Sequence, residues 1–191
     1  EMLRSWVFWA AVPGLMTSPM ITTTLFFHQV HLVEIKSWDL STYVLFIPAY
    51  SAATLFSLYL IGYLVDKLST KIILPVFLFP LISGLLLLSI ATSYLELFLI
   101  FILLGLSAGA YIVVYGTFFP EFFGSLYLGS VRTVGVTIMV FSSAIGPVLS
   151  GYFIDLGYLI DHQFKFFAAF SVFASLLFLT INLRVKLPEN A

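Results

Sequence analysis

The sequence predicts an all-α integral membrane protein of six spanning helices, read as two three-helix repeats of opposite orientation. Apolar residues make up 61% of the 191 positions and charged residues only 9%, with a mean hydropathy of +1.12. A water-exposed domain carries roughly a quarter charged residues to clothe its surface, so this chain has too few to face water. The apolar residues also fall into runs long enough to cross a bilayer. Finally, GYLVD at 62–66 returns as GYFID at 151–155, 89 positions later.

About 20 mainly apolar residues at 1.5 Å each cross about 30 Å of hydrocarbon. Six stretches qualify: 6–27, 41–64, 72–92, 95–119, 133–154 and 164–183. They form one transmembrane bundle, because the connections between them, such as DKLSTK, are too short for a further domain. Barrel strands would alternate polar and apolar residues over ~10 positions, and SGLLLLSI has no such period. Prolines at 13, 19, 48, 75, 80 and 147 lie within the stretches. Membrane helices accommodate them because neighbouring groups re-satisfy the freed backbone, and Pro147 after Gly146 predicts a kink. The first run is too long for a signal-peptide core. Because the sequence opens on Glu1, it is expected to continue a longer polypeptide.

Counting basic residues orients the chain. Arg4, Lys67, Lys71, Arg132, Arg184 and Lys186 fall on one side, Lys36 and Lys165 on the other, which places both termini in the cytoplasm. The two echoed segments then end on opposite faces. Inverted three-helix units of this kind build secondary transporters, although a five-residue echo in apolar sequence also arises by chance. Asp66 and Asp155 each sit at a helix C-terminus, where the dipole disfavours an acid by about 0.3–1 kcal/mol. Lys67 and Lys71 offer Asp66 one offset; a latch onto the N-terminus of another helix is the functional alternative.

GYLVDKLSTKIILP resembles the signature loop of the major facilitator superfamily, with Gly62, Asp66, Lys67 and Lys71 matching. Ser69 stands where the family has Gly, and Thr70 where it has a basic residue. The stretch from Pro120 to Gly157 is similar to the last loop and penultimate helix of bacterial members, including the monocarboxylate-like group, as is FFHQVHLVEIKSW. The resemblance covers the whole chain. It implies the C-terminal six of twelve helices, an absent N-terminal six-helix half facing Asp66, a small organic solute as substrate, alternating access, and residence in a bacterial inner membrane.

Other residues admit two readings. Gly105 and Gly109, Ser142, Gly146 and Ser150, and Ala49, Ala53 and Ser57 form small-residue stripes, which serve close packing first and sliding second. Thr22, Thr23 and Thr24 bond their own backbone or line a cavity with His28, Tyr50, Tyr111 and Tyr115. His28, His31 and Glu34, with Asp161 and His162 on the same side, have the spacing of a metal site, but solvated polar ends are commoner. Imidazole chemistry also allows His28 to sense protons. Glu121 and Arg132 flank the fourth connection, where Arg132 calls for a partner such as Glu121 or a lipid headgroup and the pair suits a cytoplasmic gate.

No charged residue lies near the middle of any stretch, so this half has no evident countercharge for an anion and no evident proton carrier. Asp66 and Asp155, roughly 30 Å apart across the bilayer, cannot form a catalytic dyad, which disfavours an enzyme. A non-transporting receptor or assembly module is the alternative. Eight scattered basic residues make no nucleic-acid footprint, and neither a cofactor nor a metal is expected.

Overall fold

A computed structural model describes residues 2–185; Lys186, counted in the orientation argument, lies outside them. A 3₁₀ turn at Met2–Arg4 precedes nine helices among the described residues, and no strand. They are α1 (Trp6–Phe27), α2 (Gln29–Ile35), α3 (Leu40–Leu45), α4 (Ile47–Leu68), α5 (Thr70–Ile73), α6 (Phe79–Ile90), α7 (Tyr94–Phe123), α8 (Leu128–Asp155) and α9 (Ile160–Arg184). Five segments are long and apolar enough to span a membrane: α1, α3–α4 together, α7, α8 and α9. We call the end of the bundle holding Trp6 the near end and the opposite end the far end.

Several boundaries differ from the sequence reading. The second stretch is interrupted at Phe46, because Pro48 has no N–H to continue α3 into α4. The third is helical only at α5 and α6, with Pro75 in the turn between them and Pro80 in the first turn of α6. Its twelve regular residues in α6 rise only about 18 Å. Conversely, α7 runs on to Phe123 and α8 begins at Leu128, so Glu121 and Arg132 lie inside helices rather than beside a long connection. The far-end start of α7 is set by a capping box, in which the Ser93 hydroxyl accepts the Glu96 N–H and Glu96 accepts the Ser93 N–H. Asp39 caps α3 by accepting the Thr42 N–H at 2.8 Å, which holds its carboxyl below the usual carboxylate range.

Packing carries the repeat. Helix α1 packs chiefly on α8, α4 on α7, α6 on both α7 and α9, and α1 also on α9. Exchanging α1 with α7, α4 with α8 and α6 with α9 leaves that pattern unchanged, while each exchanged pair runs in opposite directions. The 89-residue offset of the echo also aligns the closest crossings. Gly109 lies against Thr54 and Ser57, and Gly146 lies against Met20 and Thr24. Moving by 89 turns the Ser57–Gly109 contact into Gly146–Met20. In each crossing one member is a glycine, because a Cβ there would overlap the facing backbone carbonyl.

The core between the helices is aromatic, with Phe8, Phe118, Phe119, Phe164 and Phe178 fully buried. The α3–α4 span and α8 are the least buried of the long helices, and α1 and α7 the most. Helices α4 and α8 therefore present open faces carrying Phe56, Tyr59 and Tyr63, and Val140, Val148 and Tyr152.

Candidate functional site

The signature-like loop is anchored by α7. The Glu121 carboxylate accepts the backbone N–H of Thr70 at 2.9 Å and of Lys71 at 3.2 Å. The buried Thr70 hydroxyl donates to Thr117, whose own hydroxyl reaches the Val113 carbonyl. Glu121 thus fills the orphan donors at the start of α5. It does not pair with Arg132, contrary to the sequence expectation. Arg132 instead donates from Nη2 to the Gly116 carbonyl at 3.2 Å. Lys67 places its Nζ 4.5 Å from the centre of the Tyr63 ring. Asp66 is exposed and has no hydrogen bond or ion pair among the described residues, so neither Lys67 nor Lys71 neutralises it by contact. Nothing lies within contact of a Cβ placed at Gly62. Ser69, standing where the family has Gly, is held at φ 80°, ψ 153°, a region natural to glycine alone.

The cavity candidates separate into three places. Thr23 and His28 line an open groove of about 840 Å³ between the far ends of α1 and α8. Thr22 and Tyr50 line a separate crevice beneath α4 and α7. Tyr111 and Tyr115 stack along α7 with ring centroids 5.6 Å apart, and Tyr115 continues onto Phe119 at 5.4 Å. Thr24 is buried and donates to the Met20 carbonyl, where Gly146 crosses. The seven residues therefore do not surround one chamber.

Three polar side chains answer a need created by proline. An internal proline leaves the carbonyl four residues earlier without its helical donor. Pro19 frees the Leu15 carbonyl, which receives the Tyr111 hydroxyl at 3.1 Å. Pro120 frees the Gly116 carbonyl, which receives Arg132. Pro147 frees the Ser143 carbonyl, and the Thr23 hydroxyl lies 3.0 Å from it and 2.6 Å from the Pro19 carbonyl, with one proton for both. His28 adds a contact one turn further, its Nε2–H donating to the Pro147 carbonyl at 3.0 Å. Since a carbonyl only accepts, this bond fixes the proton on Nε2.

The groove also holds residues that the cavity prediction omitted: Phe26, Phe27, Tyr152 and Asp155. The spacing Pro147, Gly151, Asp155 is a run of consecutive turns on one face of α8, and the GYFID echo already singled out its end. The polar residues beyond the groove do not assemble a metal site. Asp161 is engaged by Lys36 at 2.9 Å, an ion pair off the hydrogen-bonding direction, and no cluster of three or more potential ligands occurs among the described residues.

A family model described as Major Facilitator Superfamily matches residues 1–190. No curated protein and no solved structure matches the chain.

Proposed function

The chain belongs to the Major Facilitator Superfamily, a family of membrane transporters rather than enzymes, and from that premise we propose that it moves a small organic solute across the membrane by alternating access. In this reading it is the C-terminal six-helix half of a twelve-helix secondary transporter. Both termini are cytoplasmic, in a bacterial inner membrane, and a second six-helix half covers the open faces of α4 and α8. The observation that carries the reading is the invariance of the helix packing when the two triplets are exchanged, down to the Ser57–Gly109 and Met20–Gly146 crossings. Inverted units that share such crossings can trade the opening at one end for an opening at the other.

Asp66 supports the same reading. It is a carboxylate without a partner among the described residues, in the last turn of α4 just before the segment that Glu121 fastens, where the helix dipole disfavours it. A partner on the other half, made in one state and broken in the next, would make it a latch. Uptake by proteoliposomes carrying the full polypeptide tests this. Asp66→Asn is expected to lower uptake by roughly tenfold, the scale of one lost charge-assisted contact, with insertion unchanged. Unaltered uptake rejects the latch.

A further inference from the structure

We propose that the groove between the far ends of α1 and α8 binds a small organic cation, with Asp155 as its counterion. The inference names the substrate class for the transport reading above and rests on that reading, in which the second half faces this groove and uncovers it when the far end opens.

The groove's volume of about 840 Å³ falls within the usual range of small-molecule sites. Its chemistry has one sign. Asp155 is the single charged residue lining it, and no Lys or Arg does so. The rings of Phe26, Phe27 and Tyr152 offer the negative faces that attract ammonium groups. Asp155 also ends α8, where the last carbonyls of the helix add a partial negative charge. Of the side-chain donors lining it, Thr23 is committed to the Pro19 and Ser143 carbonyls, His28 to the Pro147 carbonyl and Ser143 to the Val140 carbonyl, which leaves the Tyr152 hydroxyl.

An anionic solute would therefore meet a carboxylate and aromatic faces, with the Tyr152 hydroxyl as one uncharged donor and no cation in the lining. Lys36, on the same end of the bundle, is held by Asp161. A neutral solute would draw nothing from the charge of Asp155, which is exposed at the edge of the groove. A cation meets the carboxylate, the helix end and the rings together. This assignment departs from the carboxylate that the monocarboxylate-like resemblance suggested.

The test uses tetraethylammonium, whose charge is independent of pH, against pivalate as the anion and a neutral alcohol of similar size. Calorimetric titration of the purified full polypeptide is expected to show saturable binding of tetraethylammonium alone. Asp155→Asn should weaken it at least about tenfold, Asp155→Glu should retain most of it, and the helical circular dichroism should be unchanged. If Asp155→Asn fails to fold, Phe27→Leu serves instead. Phe27 lines the groove from the end of α1 and is 73% exposed, so leucine removes the ring while leaving the core undisturbed, and should weaken the binding several-fold. Equal binding of pivalate or the alcohol, no binding of tetraethylammonium, or binding indifferent to both substitutions overturns the proposal. Flux measurements separate the two readings. Saturable, Asp155-dependent binding without flux in liposomes supports the site and rejects transport. Flux of any solute that is indifferent to Asp155 and Phe27 keeps transport and rejects the site.

Discussion

At the near end of the bundle, α7 is fastened to the start of α5 by the Glu121 carboxylate on two backbone N–H groups; at the far end, the segment following α1 is fastened to α9 by the Lys36–Asp161 ion pair. The internal repeat makes these two fastenings counterparts, since each ties the end of a repeat's first helix to the start of the third. One uses a charge against fixed backbone donors, the other a charge on a long flexible side chain. Backbone donors at a helix start cannot move independently, whereas a lysine can follow its partner or release it. The echoed acids differ in the same sense. Asp66, in the last turn of α4, has no partner among the described residues, while Asp155 lines an open groove. The repeat therefore keeps where the chain is pinned and varies how firmly, leaving the far end with the exchangeable tie.

The largest way to break this comparison is at the crossings that define the repeat. Gly109→Leu would drive a side chain into the Thr54 carbonyl and Ser57, and Gly146→Leu into the Met20 carbonyl and Thr24. Each should cost about 3 kcal/mol or more, because backbone cannot retreat as a side chain can. Gly62→Leu, in the open space of α4, should leave stability nearly unchanged. Detergent unfolding followed by circular dichroism measures all three. Equal losses at Gly62 and Gly109 would mean that the crossings do not set the bundle.

A smaller effect separates the two fastenings. Glu121→Ala leaves the Thr70 and Lys71 N–H groups without their acceptor and should cost about 2–3 kcal/mol. Lys36→Met removes an ion pair whose lysine side chain is 8% and whose aspartate is 29% exposed; because Asp161 can turn to water once released, the loss should be about 1–2 kcal/mol. Hydrogen exchange should locate the first loss at residues 66–73 and the second at 28–40. Should Lys36→Met prove the costlier, the far end is the firmer one and the contrast reverses.

Composition and apolar run length made the helical membrane fold legible, because burying uncharged runs in lipid leaves no other economical solution for this chain. The repeat was legible from GYLVD and GYFID, whose offset the crossings then reproduced. The breaks at Phe46 and at 74–78 were harder to place. A proline announces a missing donor, but which turn gives way depends on the neighbouring helix. For the same reason Tyr111, Thr23 and Arg132 read as cavity or gate residues in sequence. Their hydroxyl and guanidinium groups are instead directed at carbonyls freed by Pro19, Pro147 and Pro120, a pairing visible only once the helices are side by side. Thr23 belongs to both accounts, since it also lines the groove. Glu121 was read with its neighbour in sequence, Arg132, because the extension of α7 that carries it to Thr70 was not predicted.

The smallest effect concerns strain, and both ends carry a serine at positive φ. Ser37, in the far connection, sits at φ 53°, near the left-handed helical region that side chains visit at modest cost. Ser69, in the near connection, sits at φ 80° with ψ 153°, where a Cβ is much less welcome and where the family resemblance has Gly. The Glu121 bonds to the next two residues hold that turn in place against its own preference. Ser69→Gly should therefore stabilise the protein by about 1 kcal/mol, and Ser37→Gly by less, in the same detergent unfolding measurement. The gain at Ser69 should shrink when combined with Glu121→Ala, because a turn released from its fastening can relax without glycine. Independent, additive effects would show that the loop geometry is set by something other than Glu121.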